Sequence, residues 1–512
     1  MEGAADGFMT PLVGRDGGSV RRAKLVFLTL NDVYELVPNA DGQGGIAEFK
    51  TLLDTTRAAV ERNYPVATII VTLNGDFLWR CEFDRKDKGP VMMELLRCLG
   101  IEFVVMGNHE FDHSAVYLQQ LLLGSSSFTS FGSNIRSAAD GSIMDGLVDT
   151  AIVPLQDGLV LGMFGVCTTV TGEDPFAGPE VCFEDEIAHA KRCVASLIAA
   201  GADVIVALTH LKMKDDKRLA RQVPEIALIL GGHDHEPTTE FVGNTMIHKS
   251  GQDAWWLGKI ELTISKIRNP NHDDGGLPSR MATIDREWEM LFNRGYAPHA
   301  ETRAVIDRYL QLVDADDRAN GKLTPIARSL TALDGTRATS RRGECNVGYL
   351  VADALRVVLD ADVAIVHAGL IKGDLLNPPG LEITQRWLER TLPQPRPTVV
   401  VELPASVSGL HVVYDLPPTN TPGHITSLRL ATKPEHDLVA SDRLLRVALP
   451  VVPSLDGWRA FFAAPCERAS SGQRKTVRDV VALYLSRHAH GTLAYARQEH
   501  RIKIVGAAPP IK

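Results

Sequence analysis

Five short polar motifs, each directly after an apolar stretch, hold the residues of this chain that could do chemistry. They carry carboxylate, amide and imidazole groups, and in chain order they are Asn31-Asp32-Val33-Tyr34, Gly75-Asp76, Gly107-Asn108-His109-Glu110-Phe111-Asp112, Thr209-His210 and Gly231-Gly232-His233-Asp234-His235. Each motif alone is also typical of a turn or a helix cap. Because chance would have to decorate five independent turns in this way, we interpret the set as one metal site.

The residue types of this set indicate which metals and which reaction to expect. Mixed oxygen and nitrogen ligands favour Mn, Fe, Co or Zn over Ca or Mg. Two such cations close together repel each other, and a carboxylate that binds both offsets the repulsion. We predict that Asp76 is this shared ligand. A water between two such ions readily becomes a nucleophile, and the ions also hold the attacking and leaving oxygens of a displacement at phosphorus. The motifs therefore predict metal-dependent hydrolysis of a phosphate ester.

His109 has a different predicted role from its neighbour Asn108. It follows a predicted ligand and need not bind a metal itself, so it is free to donate to phosphoryl oxygens or to protonate the leaving group. Asp112, three residues later, can hold the His109 imidazole in one tautomer. We therefore predict that His109 and Asp112 work as a catalytic pair.

Apolar strands alternate with helices from Lys24 onward, and this pattern must position the five motifs. Strand-length apolar runs cover 24–30, 66–73, 102–106, 160–166, 203–209 and 226–230. Helical spacing or helix signals cover 44–63, 91–100 and 185–201. The alternation predicts an α/β fold with a sheet covered on both faces. In such folds ligands bind at the carboxyl ends of the strands, so we expect the motifs to meet there.

The length of 512 residues exceeds what one hydrophobic core usually serves, which predicts two domains. We expect a disordered N-terminal tail at 1–22, because this stretch is rich in glycine. A catalytic domain is expected at 23–268 and a second domain at 323–512. Between them, a polar linker rich in Gly and Pro and a connecting helix at 301–317 fill the segment 269–322.

Charge and cysteine content limit the partners and the compartment. The net charge of −9 and the lack of a dominant basic stretch argue against binding of nucleic acid polymers, whereas a small anionic substrate remains compatible with a bound metal. Seven scattered cysteines without a C-x-x-C pair indicate reduced thiols and a cytoplasmic location. The N-terminus lacks a signal-like apolar core and no run of 18 apolar residues occurs, so we predict no membrane segment.

The order of the motifs resembles the metallophosphoesterase (calcineurin-like) superfamily. It is most similar to the 5′-nucleotidase family, which includes UDP-sugar hydrolases and 2′,3′-cyclic phosphodiesterases. GNHEFD (107–112), Thr209-His210 and G-H-D-H (232–235) match, and the likeness continues in ECNVGYLVADALR (344–356) and SGLHVVYDL (408–416). The resemblance implies a four-layer α/β/β/α metallophosphoesterase sandwich followed by a C-terminal α/β substrate domain of the 5′-nucleotidase type.

The resemblance also implies ligands and substrate contacts. The ligands of one metal would be Asp32, Asp76 and His235, and those of the other Asp76, Asn108, His210 and His233. Substrate contacts in the C-terminal domain would be Arg341, Asn346, Lys372 and Asp456. The implied substrate is a small phosphate ester, above all a nucleoside 5′-monophosphate, cleaved to nucleoside and phosphate. Lys372 stands where the family has an arginine and lacks its bidentate fork.

Tyr34 departs from the family, which has a metal-binding histidine at this position. A phenolate binds a hard ion such as ferric iron, whereas a neutral phenol is a poor ligand for Mn or Zn. Two interpretations stay open. Either Tyr34 binds a metal and favours iron, or it turns away and leaves the first metal site weak, and we favour the second.

A second departure concerns the substrate. Family nucleotidases hold the base between two aromatic rings, but here the segment 391–410 lacks the ring-bearing helix and 448–458 has no aromatic residue before Asp456. Base–aromatic stacking contributes about 1–3 kcal/mol per base, so its loss would weaken selection for nucleosides. Two alternatives therefore remain: a phosphodiesterase or pyrophosphatase acting on cyclic nucleotides or nucleotide sugars, and a non-catalytic metal-binding scaffold.

Overall fold

The computed structural model describes most of the chain as two compact units, Met1–Val313 and Asp314–Lys512. The described residues are 20–39, 41–78, 89–124, 127–173, 177–267, 282–340, 343–373, 375–394, 396–404, 411–415, 425–430, 433–437, 444–450, 467–468, 475–487, 491–495 and 502–505. Most of the predicted tail (1–22) and the polar linker at 269–280 lie outside them. Among these residues, no helix is both long enough and apolar enough to cross a membrane.

The first unit contains fourteen strands among its described residues. They are β1 (Val20–Leu30), β2 (Thr68–Asn74), β3 (Phe103–Val105), β4 (Thr129–Phe131), β5 (Ile135–Ser137), β6 (Thr150–Pro154), β7 (Val160–Cys167), β8 (Val181–Phe183), β9 (Val204–His210), β10 (Ile226–Gly231), β11 (Thr238–Val242), β12 (Thr245–Lys249), β13 (Trp256–Ile267) and β14 (Thr283–Phe292). The α-helices are α1 (Ile46–Asn63), α2 (Pro90–Leu99), α3 (Ala115–Leu123), α4 (Glu186–Ala199), α5 (Met213–Gln222) and α6 (Ala300–Ala319). Short 3₁₀ helices cover His109–Phe111, Gln156–Gly158 and Thr169–Glu173.

Most of these strands form two six-stranded sheets. The first sheet has the order β14-β13-β1-β2-β3-β4, in which β1 to β4 are parallel, β13 is antiparallel to β1, and β14 is antiparallel to β13. The second has the order β11-β12-β10-β9-β7-β6, with β12, β10, β9 and β7 parallel and both edge strands antiparallel. Parallel strands direct their carboxyl ends to one edge of each sheet.

Alternation along the strands divides the core into layers. In β1, Leu25 and Phe27 point to a cluster shared with Leu161 and Met163 of the second sheet. The alternate residues Val26, Leu28 and Leu30 join a separate cluster with α1 and α2, because successive strand side chains face opposite sides. A third cluster lies between the second sheet and α4 and α5. The layers are therefore helix, sheet, sheet and helix, which confirms the four-layer sandwich.

Among its described residues, the second unit contains short strands and four α-helices. The helices are α7 (Arg337–Ser340), α8 (Asn346–Val358), α9 (Gln385–Thr391) and α10 (Val477–Arg487), with a 3₁₀ turn at Ala368–Leu370. The strands are β15 (Pro325–Ser329), β16 (Leu333–Asp334), β17 (Val363–Ala364), β18 (Leu376–Asn377), β19 (Glu382–Thr384), β20 (Thr398–Pro404), β21 (His411–Asp415), β22 (Ile425–Leu430), β23 (Lys433–Asp437), β24 (Leu444–Pro450), β25 (Glu467–Arg468), β26 (Thr492–Leu493) and β27 (Ile502–Val505). Its core packs α8 against α10 through residues such as Leu350 and Val480. Helix α6, predicted at 301–317, crosses the boundary between the units.

Candidate metal and phosphoester site

The five polar motifs lie where five strands end. Those of the first sheet follow β1, β2 and β3, which pair in parallel, and those of the second sheet include the last residues of β9 and β10. Gly232 shows how closely the two sheets approach here. A Cβ atom on Gly232 would lie 2.0 Å from the Asn74 carbonyl oxygen and 2.7 Å from His210 Nδ1. Only glycine therefore fits beside the ends of β2 and β9.

One group of ligand atoms is formed by Asp76, His210 and His233, whose donor atoms all lie within 4.8 Å of one another. Nδ1 of the buried His210 donates to the Asn74 carbonyl (2.9 Å), which leaves Nε2 as the ring nitrogen available to a metal once its proton is displaced. That Nε2 lies 3.3 Å from Asp76 Oδ2 and has no hydrogen-bond partner among the described residues. A buried nitrogen in this state is what a metal ion would satisfy.

Asn108 joins this group from the loop after β3. Its Oδ1 lies 3.1 Å from His233 Nδ1, so the amide oxygen and the imidazole face the same space. Burial and the neighbouring His210 lower the pKa of His233 to about 4, so His233 is neutral and able to donate a lone pair. The four residues that the resemblance assigned to one metal thus lie together.

Asp32 and His235 form the adjoining group. His235 Nε2 lies 3.2 Å from Asp32 Oδ1, and the other Asp32 oxygen accepts from the His233 backbone NH (2.9 Å) and from Asn31 Nδ2 (2.8 Å). Asp32 is wholly buried. Its two carboxylate oxygens face His235 and the backbone of His233, both in the loop after β10.

Tyr34 lies between the two groups. Its hydroxyl is 2.8 Å from Asp76 Oδ2, 2.9 Å from Asp32 Oδ1 and 3.3 Å from His235 Nε2. Burial, reinforced by the carboxylates of Asp76 and Asp32, raises the pKa of Tyr34 well above its ordinary value, so the side chain is a neutral phenol. Our preferred interpretation, that Tyr34 turns away from the site, is wrong. The loop after β1 directs the ring inward. There the hydroxyl donates its one hydrogen to the carboxylates of Asp32 and Asp76.

His109 stands beside the carboxylates without joining the ligand groups. Its Nδ1 is 2.6 Å from Asp112 Oδ2, its Nε2 is 3.9 Å from Asp76 Oδ2, and its backbone NH donates to Asp76 Oδ1 (2.9 Å). The 3₁₀ turn His109–Phe111 brings Asp112 back under the ring. The pairing expected from the sequence is therefore present as a contact.

Three candidate ligands have unusual backbone conformations. Asp32, Asp76 and His233 have φ angles of 55°, 56° and 73°, in the left-handed region that non-glycine residues seldom adopt. Each such residue costs of order 1–3 kcal/mol and persists only where surrounding structure holds it. Strain at these positions directs the side chains into the site, as is common at functional sites.

The electrostatics of the site suit a cation. Burial lowers the pKa of His210, but the carboxylates of Asp76 and Asp32 outweigh it and raise that pKa to about 10. For Asp76, burial raises the pKa, and the neighbouring His210 and His109 outweigh it and hold the pKa well below its usual range. The concentrated negative charge that attracts a proton would equally attract a divalent ion, with oxygen and nitrogen donors of the kind that Mn, Fe, Co and Zn accept.

Glu110 was not singled out in the sequence, although it lies inside the GNHEFD motif. Its buried carboxylate accepts four backbone NH groups, from Asp76 (2.9 Å), Phe77 (2.7 Å), Leu78 (3.1 Å) and Gly107 (2.6 Å). Burial, together with Asp76, raises its pKa. Glu110 thus joins the loops after β2 and β3. The one sequence signal for this role is its position three residues after Gly107.

Glu110→Gln is expected to destabilise the metal-free protein by about 3–6 kcal/mol. One glutamine atom becomes an NH₂ facing two NH donors, and each lost bond to a charged acceptor is worth about 1.5–3 kcal/mol. The measurement is the shift of the first unit's urea unfolding transition. Glu102→Gln is the control, because Glu102 is exposed and accepts one NH, from Val71. Equal shifts in the two variants would contradict the assigned role.

The predicted substrate contacts of the C-terminal unit fare differently. Asn346 is wholly buried, and its amide accepts from the Asp334 NH (2.7 Å) and donates to the Ala332 carbonyl (2.6 Å), so it holds strand β16 in place and the predicted substrate contact is wrong. Lys372 is partly exposed, and its role stays a prediction. Arg341 and Asp456 lie outside the described residues.

Comparisons with known proteins agree with this arrangement. The model of the calcineurin-like phosphoesterase family matches residues 25–237, and that of the 5′-nucleotidase C-terminal domain matches 325–406. A snake venom 5′-nucleotidase from Gloydius brevicauda is 27% identical over 367 residues, 65% of this chain and 58% of the venom protein. The human 5′-nucleotidase is 24% identical over 482 residues, 81% of this chain and 79% of its own length.

A solved structure shows the same fold along nearly the whole chain. The 5′-nucleotidase precursor from Thermus thermophilus superposes with a TM-score of 0.72 at 21% identity, covering 94% of this chain and 100% of its own. Calcineurin-like phosphoesterases use divalent metals, and the chain places a possible metal site where its motifs converge. The chain therefore combines a calcineurin-like phosphoesterase domain with a 5′-nucleotidase C-terminal domain that follows it.

Proposed function

We propose that this chain hydrolyses small phosphate esters, above all nucleoside 5′-monophosphates to nucleoside and phosphate, with two divalent metal ions. The observation that carries the proposal is the meeting of six oxygen and nitrogen donors from five strand ends beside a histidine held by a carboxylate. The donors are Asp32, Asp76, Asn108, His210, His233 and His235. Relatives named 5′-nucleotidase support the substrate class.

The residues around the site divide the reaction between them. Bound metal ions would supply Lewis-acid activation of water and stabilise charge at phosphorus. Asp76, which faces both Tyr34 and His210, is placed to be the shared ligand. Asp112 holds His109 Nδ1, which leaves Nε2 directed toward the carboxylates. A proton on Nε2 can pass to the ester oxygen of the nucleoside as its bond to phosphorus breaks.

The two ions would not be held equally. Among the described contacts, the Tyr34 hydroxyl meets both Asp32 and His235 of one group, whereas in the other group it meets only Asp76, the ligand that the two sites would share. Because a neutral phenol is a poor ligand, we propose one tight site and one weak site. Mn, Zn, Co and Fe all fit the donors.

Tyr34→His is expected to tighten the weaker site for manganese by about tenfold or more, equivalent to about 1.4 kcal/mol or more. The imidazole would replace a neutral phenol with a true donor beside Asp32. Equilibrium dialysis against graded Mn²⁺, with manganese counted per chain, measures the change. Tyr64→His, at the exposed end of α1, is the control. Unchanged occupancy and activity would contradict the proposal that the phenol of Tyr34 weakens this site.

The same site would also serve a phosphodiesterase or a pyrophosphatase. The aromatic residues expected to clamp a base are missing from the sequence at 391–410 and before Asp456, which favours keeping cyclic nucleotides and nucleotide sugars as second candidates. A non-catalytic scaffold is less favoured, because it has no chemical need for the His109–Asp112 pair.

Phosphate release from a substrate panel tests the proposal. The manganese-loaded protein is assayed with 5′-nucleotides, 2′,3′-cyclic nucleotides, UDP-sugars and sugar phosphates, and Asn108→Ala serves as the inactive control. Nucleoside and phosphate from 5′-nucleotides is the expected result. A monophosphate released from a diester or a UDP-sugar would favour the phosphodiesterase or pyrophosphatase. If no phosphate is released with Mn, Zn, Co or Fe, the non-catalytic scaffold is the remaining candidate.

We also propose a cytoplasmic location. It rests on the scattered cysteines, five of which carry free thiols in the described part of the chain. Fractionation of the source cells tests it, and recovery of the chain outside the cytoplasm would overturn it.

A further inference from the structure

Lys249, the last residue of β12, has its ammonium group buried against the backbone that carries His210 and His233. The side chain is fully buried, and burial, which lowers its pKa, is outweighed by Asp216 and Asp234, which raise it. Nζ donates to the Leu211 carbonyl (2.5 Å), the Gly232 carbonyl (2.8 Å) and Asp234 Oδ2 (2.9 Å). These three bonds use all three hydrogens of the ammonium group.

The three acceptors are adjacent in sequence to the candidate ligands. Leu211 directly follows His210, Gly232 directly precedes His233, and Asp234 lies between His233 and His235. One cation therefore ties the residue after β9 to the loop after β10. The position of His210 relative to His233 depends on this tie, because each imidazole is one residue from a bound carbonyl.

Asp216 on α5 fixes the cation in place. Its Oδ2 lies 2.9 Å from Lys249 Nζ, and its Oδ1 accepts from Thr209 Oγ1 (2.7 Å), one residue before His210. Gly231 leaves the space for the lysine stem, because a Cβ atom there would lie 3.0 Å from Lys249 Cε. Four oxygen atoms thus surround the ammonium group, and a shorter cationic side chain could not reach the same acceptors.

We propose that Lys249 is a positioning residue that sets the affinity of the tight metal site by holding His210 and His233 at their mutual distance. The inference rests on the proposed function, since it concerns the same metal site. A residue that orients ligands from behind typically changes metal affinity by about 10–100-fold when it is replaced. Lys249 reaches the ligands through the backbone, so its loss should weaken binding and leave the donors themselves intact.

The first test is Lys249→Met, which keeps the length of the stem and removes the charge. Equilibrium dialysis against Mn²⁺ is expected to show a dissociation constant for the tight site about 10–100-fold higher than wild type. Phosphate release at saturating Mn²⁺ is expected to approach the wild-type rate. Lys217→Met is the matched control, because this neighbouring lysine of α5 makes a surface ion pair with Glu240.

A second variant separates positioning from stability. Lys249→Met leaves the buried Asp216 carboxylate uncompensated, which destabilises the fold. In the double variant Lys249→Met/Asp216→Asn this charge is gone and the asparagine oxygen still accepts from Thr209, so the melting temperature should recover toward wild type. The manganese affinity should stay low, because the Leu211 and Gly232 carbonyls still lack their donor.

The outcomes distinguish the alternatives. Affinity that returns together with the melting temperature would show a merely structural role and overturn the proposal, as would wild-type affinity in Lys249→Met. A wild-type chain that takes up no manganese would overturn the proposed function and this inference with it. Weak binding in both variants with restored stability in the second would support it.

Discussion

Replacing His109 with alanine is expected to lower the rate of phosphate release by about 10²–10⁴-fold while bound metal stays at the wild-type level. A positioned proton donor contributes a factor of this size. The ring contacts Asp112 through Nδ1 and lies 3.9 Å from the nearest Asp76 oxygen through Nε2, outside the ligand groups. Loss of the ring should therefore remove chemistry and spare metal binding.

Steady-state phosphate release and manganese content, measured on the same preparation, test this expectation. His113→Ala is the matched control, because His113 lies four residues further on and packs against Tyr117. The rate of phosphate release of Asp112→Asn should lie between those of His109→Ala and His113→Ala, because this change loosens the imidazole without removing it. A loss of manganese that parallels the loss of rate would show instead that His109 is a metal ligand.

Asp76→Asn is expected to lower the affinity for both metal ions by more than about 100-fold and to reduce phosphate release to background. Loss of a residue that only supports a ligand costs about 10–100-fold, and Asp76 would be a ligand itself. Asp76 Oδ2 lies 2.8 Å from the Tyr34 hydroxyl and 3.3 Å from His210 Nε2, so one carboxylate faces both ligand groups. An amide carries no charge to offset the repulsion between two cations.

Dialysis against Mn²⁺ provides the measurement for this variant. Asp145→Asn, an exposed carboxylate outside the site, controls for the substitution itself. If Asp76→Asn retained two manganese ions per chain with wild-type affinity, Asp76 would not be the shared ligand. Loss of one ion only would place Asp76 in a single site.

The layers of the catalytic unit illustrate what sequence patterns can and cannot decide. The apolar runs predicted the strands that carry the motifs, and β1, β2, β3, β9 and β10 lie close to those predictions. The residues alone predicted one sheet with two covered faces. The structure covers one face of each sheet with the other sheet, and a buried apolar face looks the same in sequence under either cover.

The candidate site shows the same division. Residues at strand ends could be placed together because parallel strands share an edge. The inward direction of Tyr34 and the buried amide of Asn346 could not be predicted, because each depends on loop backbone and on partners far away in the chain. Lys249 is the strongest example: its acceptors at 211, 216, 232 and 234 lie 15–38 residues away, and nothing in its local sequence marks a buried cation.

Stepwise metal reconstitution tests the central claim, a two-metal phosphoester hydrolase, most directly. The metal-free chain is titrated with Mn²⁺, and bound manganese and phosphate release from a 5′-nucleotide are measured in the same samples. We predict tight uptake of one ion with little release, followed by weaker uptake of a second ion with which the release rises. Release without metal, or no release with two ions bound per chain, would contradict the account.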